Sequence, residues 1–404
     1  MISDALIEAL PKTDLHVHLD GSCRIATLIE LARDCSLQLP SETEEGLREL
    51  VFKPAYGSLV EYLAGFEYTV AALQSREALE RTAYELAWDN INEGVCYIEV
   101  RFAPHLHMHD GLGFDDVLAA VVSGLDRARL EHEASSAVVQ EGEPPFRFGI
   151  IVCALRAFTE QTSAWYGRLF QQFSEAPRKE IYQMASLELA RAAVRCRDEL
   201  DMPIVAFDLA GQEDGYPARD HVQAYQYAHR HFMKKTVHAG EAYGPESIFD
   251  AITELHADRI GHGYHLFSPE LCGPEIERPE DYVGRLTRYI ADRRVTIEVC
   301  ITSNLQTNPM IGSVENHHFG HMLEHRLSAT LCTDNRLHSN TTVSREVRLA
   351  VDAFGMDLKQ LRNTIIYGFK RSFFPGHYQG KRDYVRAVID HYDKVLADHQ
   401  VVEG

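Results

Sequence analysis

No stretch of this sequence approaches the roughly 18 consecutive apolar residues that a membrane-spanning helix needs. The amino-terminal MISDALIEALPKTDLHVHLDGS has no basic segment followed by an apolar one, so it does not read as a secretory signal. There is no low-complexity tract and no internal repeat. Basic residues are the scarcer charge: 40 Lys and Arg against 60 Asp and Glu leave a formal net charge of −20. An acidic surface repels nucleic acid and anionic lipid, which argues against either as the main partner. The eight cysteines, at 23, 35, 96, 153, 196, 272, 300 and 332, form no CxxC pair. Several, such as Cys96, Cys153 and Cys300, sit in apolar runs and read as buried free thiols, so a reducing compartment and a cytoplasmic location are expected.

What is present is a globular composition, 45% apolar and 25% charged over 404 residues, enough for one large core with insertions. A short apolar run ending in polar, chemically active residues recurs eight times. The runs are Thr13–Leu19, Val95–Pro104, Phe146–Arg156, Ile204–Gly211, Lys235–Glu241, Arg259–Gly263, Thr296–Asn304 and Ser328–Asn335. Near-continuous hydrophobicity of this kind marks strands buried on both faces. Between most of them lie segments with helical periodicity, including Glu180–Leu200, Asp220–Met233, Glu246–Leu255 and Glu280–Asp292. Eight strands alternating with helices predict an α/β fold closed into a (β/α)8 TIM barrel. An open doubly wound sheet is the rival, but no glycine-rich dinucleotide turn follows the first strand. The span of about 22–94 exceeds one crossover and predicts a helical insertion after the first strand, lying over one mouth of a single barrel domain that takes in residues 1–404. Glu131–Pro145 is polar and carries Pro and Gly, so it reads as an exposed loop.

Barrel enzymes place their chemistry at the carboxyl ends of the strands. The first run ends His16-Val-His18-Leu-Asp20, and alternate residues of a strand share a face. The fifth ends in His238 and Glu241, the sixth in His262, the eighth in Asp334 and Asn335. Histidines and carboxylates converging on one mouth have the composition of a metal site, and imidazole with carboxylate oxygen suits zinc or a similar divalent ion. Each residue alone has a plainer reading: His262 as a satisfied core histidine, Asp334 as a helix cap. A second cluster, His105, His107 and His109, reads as surface or supporting histidines. Gly240 and Gly263, beside candidate groups, are read either as room for a ligand or as simple turn residues.

Six segments, TDLHVHLDGS, FDLAGQE, VHAGE, RIGHG, CITSN and CTDN, resemble in order and spacing the adenosine deaminase family of the amidohydrolase superfamily. The resemblance runs from about Lys12 to the helix after Asp334. It implies one zinc ion per chain held by His16, His18, His238 and Asp334. It implies Glu241 as the proton donor to a purine ring, His262 as the residue that orients or deprotonates the attacking water, and Asp334 as a further catalytic group. His18, Asp20, Gly211 and Asn335 would line the substrate, with Gly211 on the purine and Asp20 near the ribose. The implied reaction is hydrolytic deamination of a small-molecule 6-aminopurine nucleoside, adenosine or deoxyadenosine, to the 6-oxo product and ammonia.

One departure bears on the substrate. The family commonly has two aspartates and a proline where this chain has Asp334, Asn335 and Arg336. An Asn amide can donate to N7 of a purine without needing a proton. Free adenine, a thioadenosine, an aminodeoxyfutalosine-like nucleoside or a nucleotide therefore stay open; a phosphate would call on Arg24 or Arg336. A binding relative without activity is the reading outside enzymology, against which all six implied zinc-binding and catalytic residues are present. A nucleic-acid base deaminase lacks its PCxxC zinc signature here. Oligomeric state is left open.

Overall fold

The computed structural model describes residues 2–401. Eight strands form one sheet in sequential order: β1 Lys12–His18, β2 Val95–Phe102, β3 Arg147–Leu155, β4 Ile204–Ala210, β5 Lys234–Ala239, β6 Arg259–His262, β7 Thr296–Val299 and β8 Ala329–Leu331. Every neighbouring pair is parallel. The ring closes just beyond β8, where Asp334 bridges to Val17. The His18 N–H donates to the Asp334 carbonyl at 2.7 Å and the Asp334 N–H donates to the His16 carbonyl at 2.8 Å. This is the expected (β/α)8 barrel. β1, β2, β4, β6, β7 and β8 are buried at every position, as their unbroken hydrophobicity requires.

The predicted helices are present with shifted ends: Arg178–Glu199, Val222–Arg230 after a short 3-10 turn, Pro245–Thr253 and Pro279–Arg293. Two expectations need correction. The run Thr296–Asn304 is a strand only to Val299; Ile301–Thr307 is helical, so Ser303 and Asn304 sit on a helix. The segment Glu131–Pro145 is not all loop: its first residues end the helix Phe114–Glu133 and Ser136–Val139 forms one more helical turn. Of the cysteines, Cys35 is exposed and Cys272 half-buried, while the other six are buried and all eight are free thiols.

Between β1 and β2 lie the helices Ile25–Asp34, Glu44–Leu50, Leu59–Leu63 and Phe66–Ala72, followed by the crossover helix Arg76–Ile91. The inserted helices build a small apolar core from Ile25, Leu28, Leu47 and Phe52 that also takes in Leu337, from the loop leaving β8. Tyr62 and Ser339 share a hydrogen bond at 2.9 Å, and His338 stacks on Phe66 at 4.2 Å between centroids. The insertion is thus tied to the carboxyl end of β8. Among the described residues no helix is long and apolar enough to cross a membrane.

The crossover helix Arg76–Ile91 packs along Phe114–Glu133, and Gly124 lets the two backbones meet. A Cβ at Gly124 would lie 2.1 Å from the Glu80 carbonyl oxygen. Alanine normally favours a helix over glycine by about 1 kcal/mol. Here overpacking reverses the sign, and Gly124→Ala is expected to destabilise by about 1–3 kcal/mol. A thermal melt tests this: a midpoint equal to or above that of the parent would show that the helices part without strain.

Candidate metal centre

The closing bonds of the barrel fix three of the four predicted ligands, because His16, His18 and Asp334 are the residues that make them. His238, at the end of β5, completes the group. One ligand atom from each of His16, His18, His238 and Asp334 lies within 4.8 Å of the others. His18 Nε2 and His238 Nε2 are 3.2 Å apart, and Asp334 Oδ1 is 3.4 Å from His18 Nε2 and 3.5 Å from His16 Nε2. His16 Nε2 is buried and makes no hydrogen bond of proper geometry. An orphaned nitrogen aimed at two more imidazoles and a carboxylate fits a divalent cation, and three nitrogens with one oxygen make a donor set suited to zinc.

The far sides of the ligands are equally fixed. His16 Nδ1 is 2.8 Å from Glu298 Oε2, and His238 Nδ1 is 3.1 Å from Asp208 Oδ2. Arg101 joins these two acids, donating from Nη2 to Glu298 Oε2 at 2.8 Å and from Nη1 to Asp208 Oδ2 at 2.9 Å. Arg259 donates from Nε to the other Glu298 oxygen at 2.6 Å and pairs with Glu99. Ser303 donates to Asp334 Oδ2 at 2.6 Å. Carboxylates behind imidazoles set the ring orientation and raise its basicity as a ligand.

The electrostatics ask for a cation. Burial pushes the Asp334 carboxyl up, but the His16 bond and the nearby imidazoles outweigh it and hold its pKa well below the ordinary value. Burial and Arg101 push His16 down, yet Asp334 and Glu298 prevail and raise its pKa. The acids that would favour a proton on His16 equally favour a metal ion in its place. His18 and His238 are held below the ordinary value chiefly by burial, which leaves neutral nitrogen lone pairs.

Glu241 and His262 stand beside this group. The Glu241 carboxyl lies 3.7 Å from His262 Nε2. Burial first, then Asp334 and Glu213, raise its pKa well above the ordinary value, which favours the protonated form. Its loop is fixed by Glu213, whose carboxylate accepts from the backbone N–H groups of Gly240 (3.0 Å), Glu241 (3.0 Å), Ala242 (2.8 Å) and Tyr243 (3.0 Å), and from the Ser247 hydroxyl. His262 and Asp334 both adopt left-handed backbone, each with φ of 61°. Such strain is tolerated where surrounding contacts over-determine it and is concentrated at functional sites.

The remaining predicted residues fall as follows. Asp20 and Asn335 are 3% exposed, and Oδ1 of each is buried without a hydrogen-bond partner. Burial pushes the Asp20 carboxyl up to about 7. Gly211 has φ of 94°, and nothing lies closer than 3.8 Å to where its Cβ would be. Gly240 and Gly263 are turn residues: both have positive φ, and a Cβ would strike Ile248 at 2.6 Å and Ile297 at 2.8 Å respectively. Their missing side chains make room for the core, not for a ligand. Arg24 is bonded to Asp89 and Arg336 to Glu93, so both guanidinium groups are engaged. His105 and His107 are not surface residues: His105 stacks on Trp165 at 3.6 Å and His107 Nδ1 faces the Leu73 carbonyl at 2.8 Å, and neither joins the ligand group.

Sequence reasoning passed over Arg101, Asp208, Glu213 and Glu298. A signal was available, since Arg101, Asp208 and Glu298 interrupt the apolar runs IEVRF, AFDLA and TIEV. A charge within a strand buried on both faces has to find a partner.

Known proteins resemble this chain over most of its length. The family described as Adenosine deaminase matches residues 11–391. An adenosine deaminase from Mycobacterium sp. (strain JLS) is 36% identical over 371 residues, covering 91% of this chain and 92% of that protein. Among solved structures, the N6-methyl-AMP deaminase of Arabidopsis thaliana superposes with a TM-score of 0.72 at 23% identity, covering 98% of this chain and 100% of that one. An amidohydrolase from Burkholderia ambifaria with bound Zn gives 0.73 at 20% identity, with 98% and 94% covered. These two structural likenesses speak to the fold.

The supporting carboxylates are open to test. Asp208→Asn removes the charge behind His238 and is expected to weaken divalent-metal binding about 10–100-fold. Competition with a chelator measures this, and undiminished affinity would remove Asp208 from the account of the centre.

Proposed function

The chain belongs to the adenosine deaminase family, hydrolases that act on C–N bonds, and on that premise we propose that it deaminates a 6-aminopurine nucleoside, adenosine and deoxyadenosine foremost, with one zinc ion per chain. The observation that carries this reading is a buried carboxyl, Glu241, 3.7 Å from His262 and beside the four-residue ligand group, where burial raises its pKa. His16, His18, His238 and Asp334 would hold the ion, which when bound lowers the pKa of water and so supplies a nucleophile near neutral pH.

The residues of the chain account for the rest. An aromatic purine resists attack at C6 until N1 is protonated. Glu241 carries the proton for N1, and its burial favours the protonated form. Once water has added to C6, the amino group takes up a proton and leaves as ammonia, giving the 6-oxo product. Asp334 stays ionised and accepts a hydrogen bond from the attacking water, which orients it. Gly211, with open space at its α-carbon, suits a flat base passing close to the backbone. The insertion of residues 22–94 would cover the bound nucleoside and exclude bulk water.

A nucleoside fits better than a nucleotide. Arg24 and Arg336, the guanidinium groups a phosphate would call on, are spent on Asp89 and Glu93. Asp20 Oδ1 is a buried acceptor without a partner, which suits a sugar hydroxyl. The Asn335 amide N–H would donate to N7.

Two measurements check the proposal. Ammonia release across 6-aminopurines is expected to be fastest with adenosine and 2′-deoxyadenosine; faster release from AMP, adenine, a thioadenosine or an aminodeoxyfutalosine would reassign the substrate, and no release from any would favour a binding role. Glu241→Gln is expected to keep its metal while kcat falls by about 10²-fold or more. Because the protonated acid is the active form, kcat/KM of the parent falls as pH rises through the raised Glu241 pKa. A near-normal rate for Glu241→Gln rules out the proton-donor role.

A further inference from the structure

The amino end of the barrel, opposite the metal centre, holds a cavity of about 1080 Å³, comparable to the larger small-molecule sites. Its lining comes from the starts of β4 and β5 and from the link between the helices Leu358–Arg371 and Tyr378–Asp398. Six of its lining side chains are basic, Arg197, Lys234, Lys370, Lys381, Arg382 and Arg386, against the two acids Asp201 and Asp390. Arg197 is taken up by Asp198 and Lys234 by Asp258. The other four form no ion pair with any described residue. In a chain of net charge −20, cations gathered without counterions call for an anion from outside.

One wall is held in place before any ligand arrives. Lys381 is half-buried and donates to the carbonyls of Lys370 at 2.9 Å and Ser372 at 2.6 Å. That leaves one of its three N–H donors unspent. Burial lowers its pKa to about 8; Glu99 opposes this, while Arg259, Arg371 and Lys234 add to it. A bound anion relieves a cation placed among other cations. Phe373 lines the same cavity, its N–H bonded to Glu99 and its ring centroid 3.6 Å from the Arg259 guanidinium carbon. Two further aromatic rings at the cavity stand open to solvent, Phe232 at 92% exposure and Tyr378 at 74%. Phe232 holds a left-handed backbone with φ of 58°, which is costly for a bulky side chain and brings its ring no burial. The Arg382 guanidinium lies 5.7 Å from the Tyr378 ring centroid. Exposed rings beside unpaired cations suit a flat base joined to phosphates.

We propose that this cavity is a second ligand site, apart from the metal centre, and that it takes a nucleoside triphosphate. The phosphate chain lies on Lys370, Lys381, Arg382 and Arg386, and the base packs against Phe232 or Tyr378. Four unpaired cations match a chain of phosphates better than a single one. The inference does not depend on the deaminase reading, because no residue of the cavity belongs to the ligand group.

Equilibrium dialysis of the metal-loaded protein against GTP, which has no 6-amino group to lose, tests this at low salt without added magnesium. GTP is expected to bind, tripolyphosphate to bind about 5-fold or more weakly, and guanosine to show no binding at the same concentration. The GTP affinity is expected to fall as salt is raised. Lys370→Glu combined with Arg386→Glu, both at exposed positions, is expected to weaken GTP at least about 10-fold with metal content unchanged. Should that reversal unfold the chain, Lys370→Gln with Arg386→Gln makes the same comparison. Phe232→Ala with Tyr378→Ala is expected to erase the preference for GTP over tripolyphosphate. Absence of GTP binding overturns the proposal, as does binding that the Lys370 and Arg386 variants leave untouched, which would place GTP elsewhere on the chain. Tripolyphosphate held by the parent as tightly as GTP overturns the nucleotide assignment in favour of a bare polyphosphate. A parent that sediments as a dimer, and as a monomer once both charges are reversed, overturns it in favour of contact with a second copy.

Discussion

The seam between β1 and the residue after β8 governs the site. Two backbone hydrogen bonds at 2.7 and 2.8 Å close the barrel there, and the residues that make them, His16, His18 and Asp334, are also metal-ligand candidates. Closing the sheet and assembling the ligands are therefore one event. Asp334 reaches the seam only in a left-handed conformation, with φ of 61°. The Asp14 carboxylate, receiving the Thr333 hydroxyl at 2.5 Å and its N–H at 3.2 Å, braces the same junction. Strain of this kind persists when neighbouring contacts leave the chain no alternative.

Behind the seam, the barrel interior holds charge that apolar packing alone could not tolerate. Arg101 and Arg259 face Glu99, Asp208 and Glu298, two guanidinium groups against three carboxylates. Burying ions is unfavourable unless each finds partners, and the negative charge left over here, together with that of Asp334 among the ligands, favours a cation. The network thus explains both why imidazoles at the rim are held in place and why the site attracts a metal. It also carries the sheet: its members come from β2, β4, β6 and β7, so each strand's ionic group relies on the others.

Two carboxylic acids from neighbouring strand ends are driven in opposite directions by their surroundings. Burial would raise Glu213, but Arg156, Ser247 and the backbone N–H groups of the Glu241 loop overcome it and hold its pKa below the ordinary value. For Glu241 the pull of Arg156 is too weak to offset burial, Asp334 and Glu213, and its pKa is raised. Pairs pushed apart in this way mark acid and base assignments. Here the ionised member also helps to raise the neutral one, so the acid's readiness depends on a residue that need never touch a ligand.

The alternating pattern of apolar runs and helical segments was enough for the barrel, because strands buried on both faces carry no polar alternation and leave a clear signature. The ligand types at strand ends, His16, His18, His238 and Asp334, were legible for the same reason: chemistry follows the carboxyl ends of parallel strands. Helix ends and the short strands β7 and β8 were not, since local pattern does not say where a run stops pairing; the turn that puts Asn304 on a helix is a case in point. Nor could the sequence tell that Arg24 and Arg336 answer to Asp89 and Glu93, or that Gly240 and Gly263 yield to Ile248 and Ile297. Residue identity determined which atoms could bind a metal or move a proton. Only the tertiary structure decided which faced one another and which were neutralised by a partner, because those depend on distances between residues tens to hundreds of positions apart.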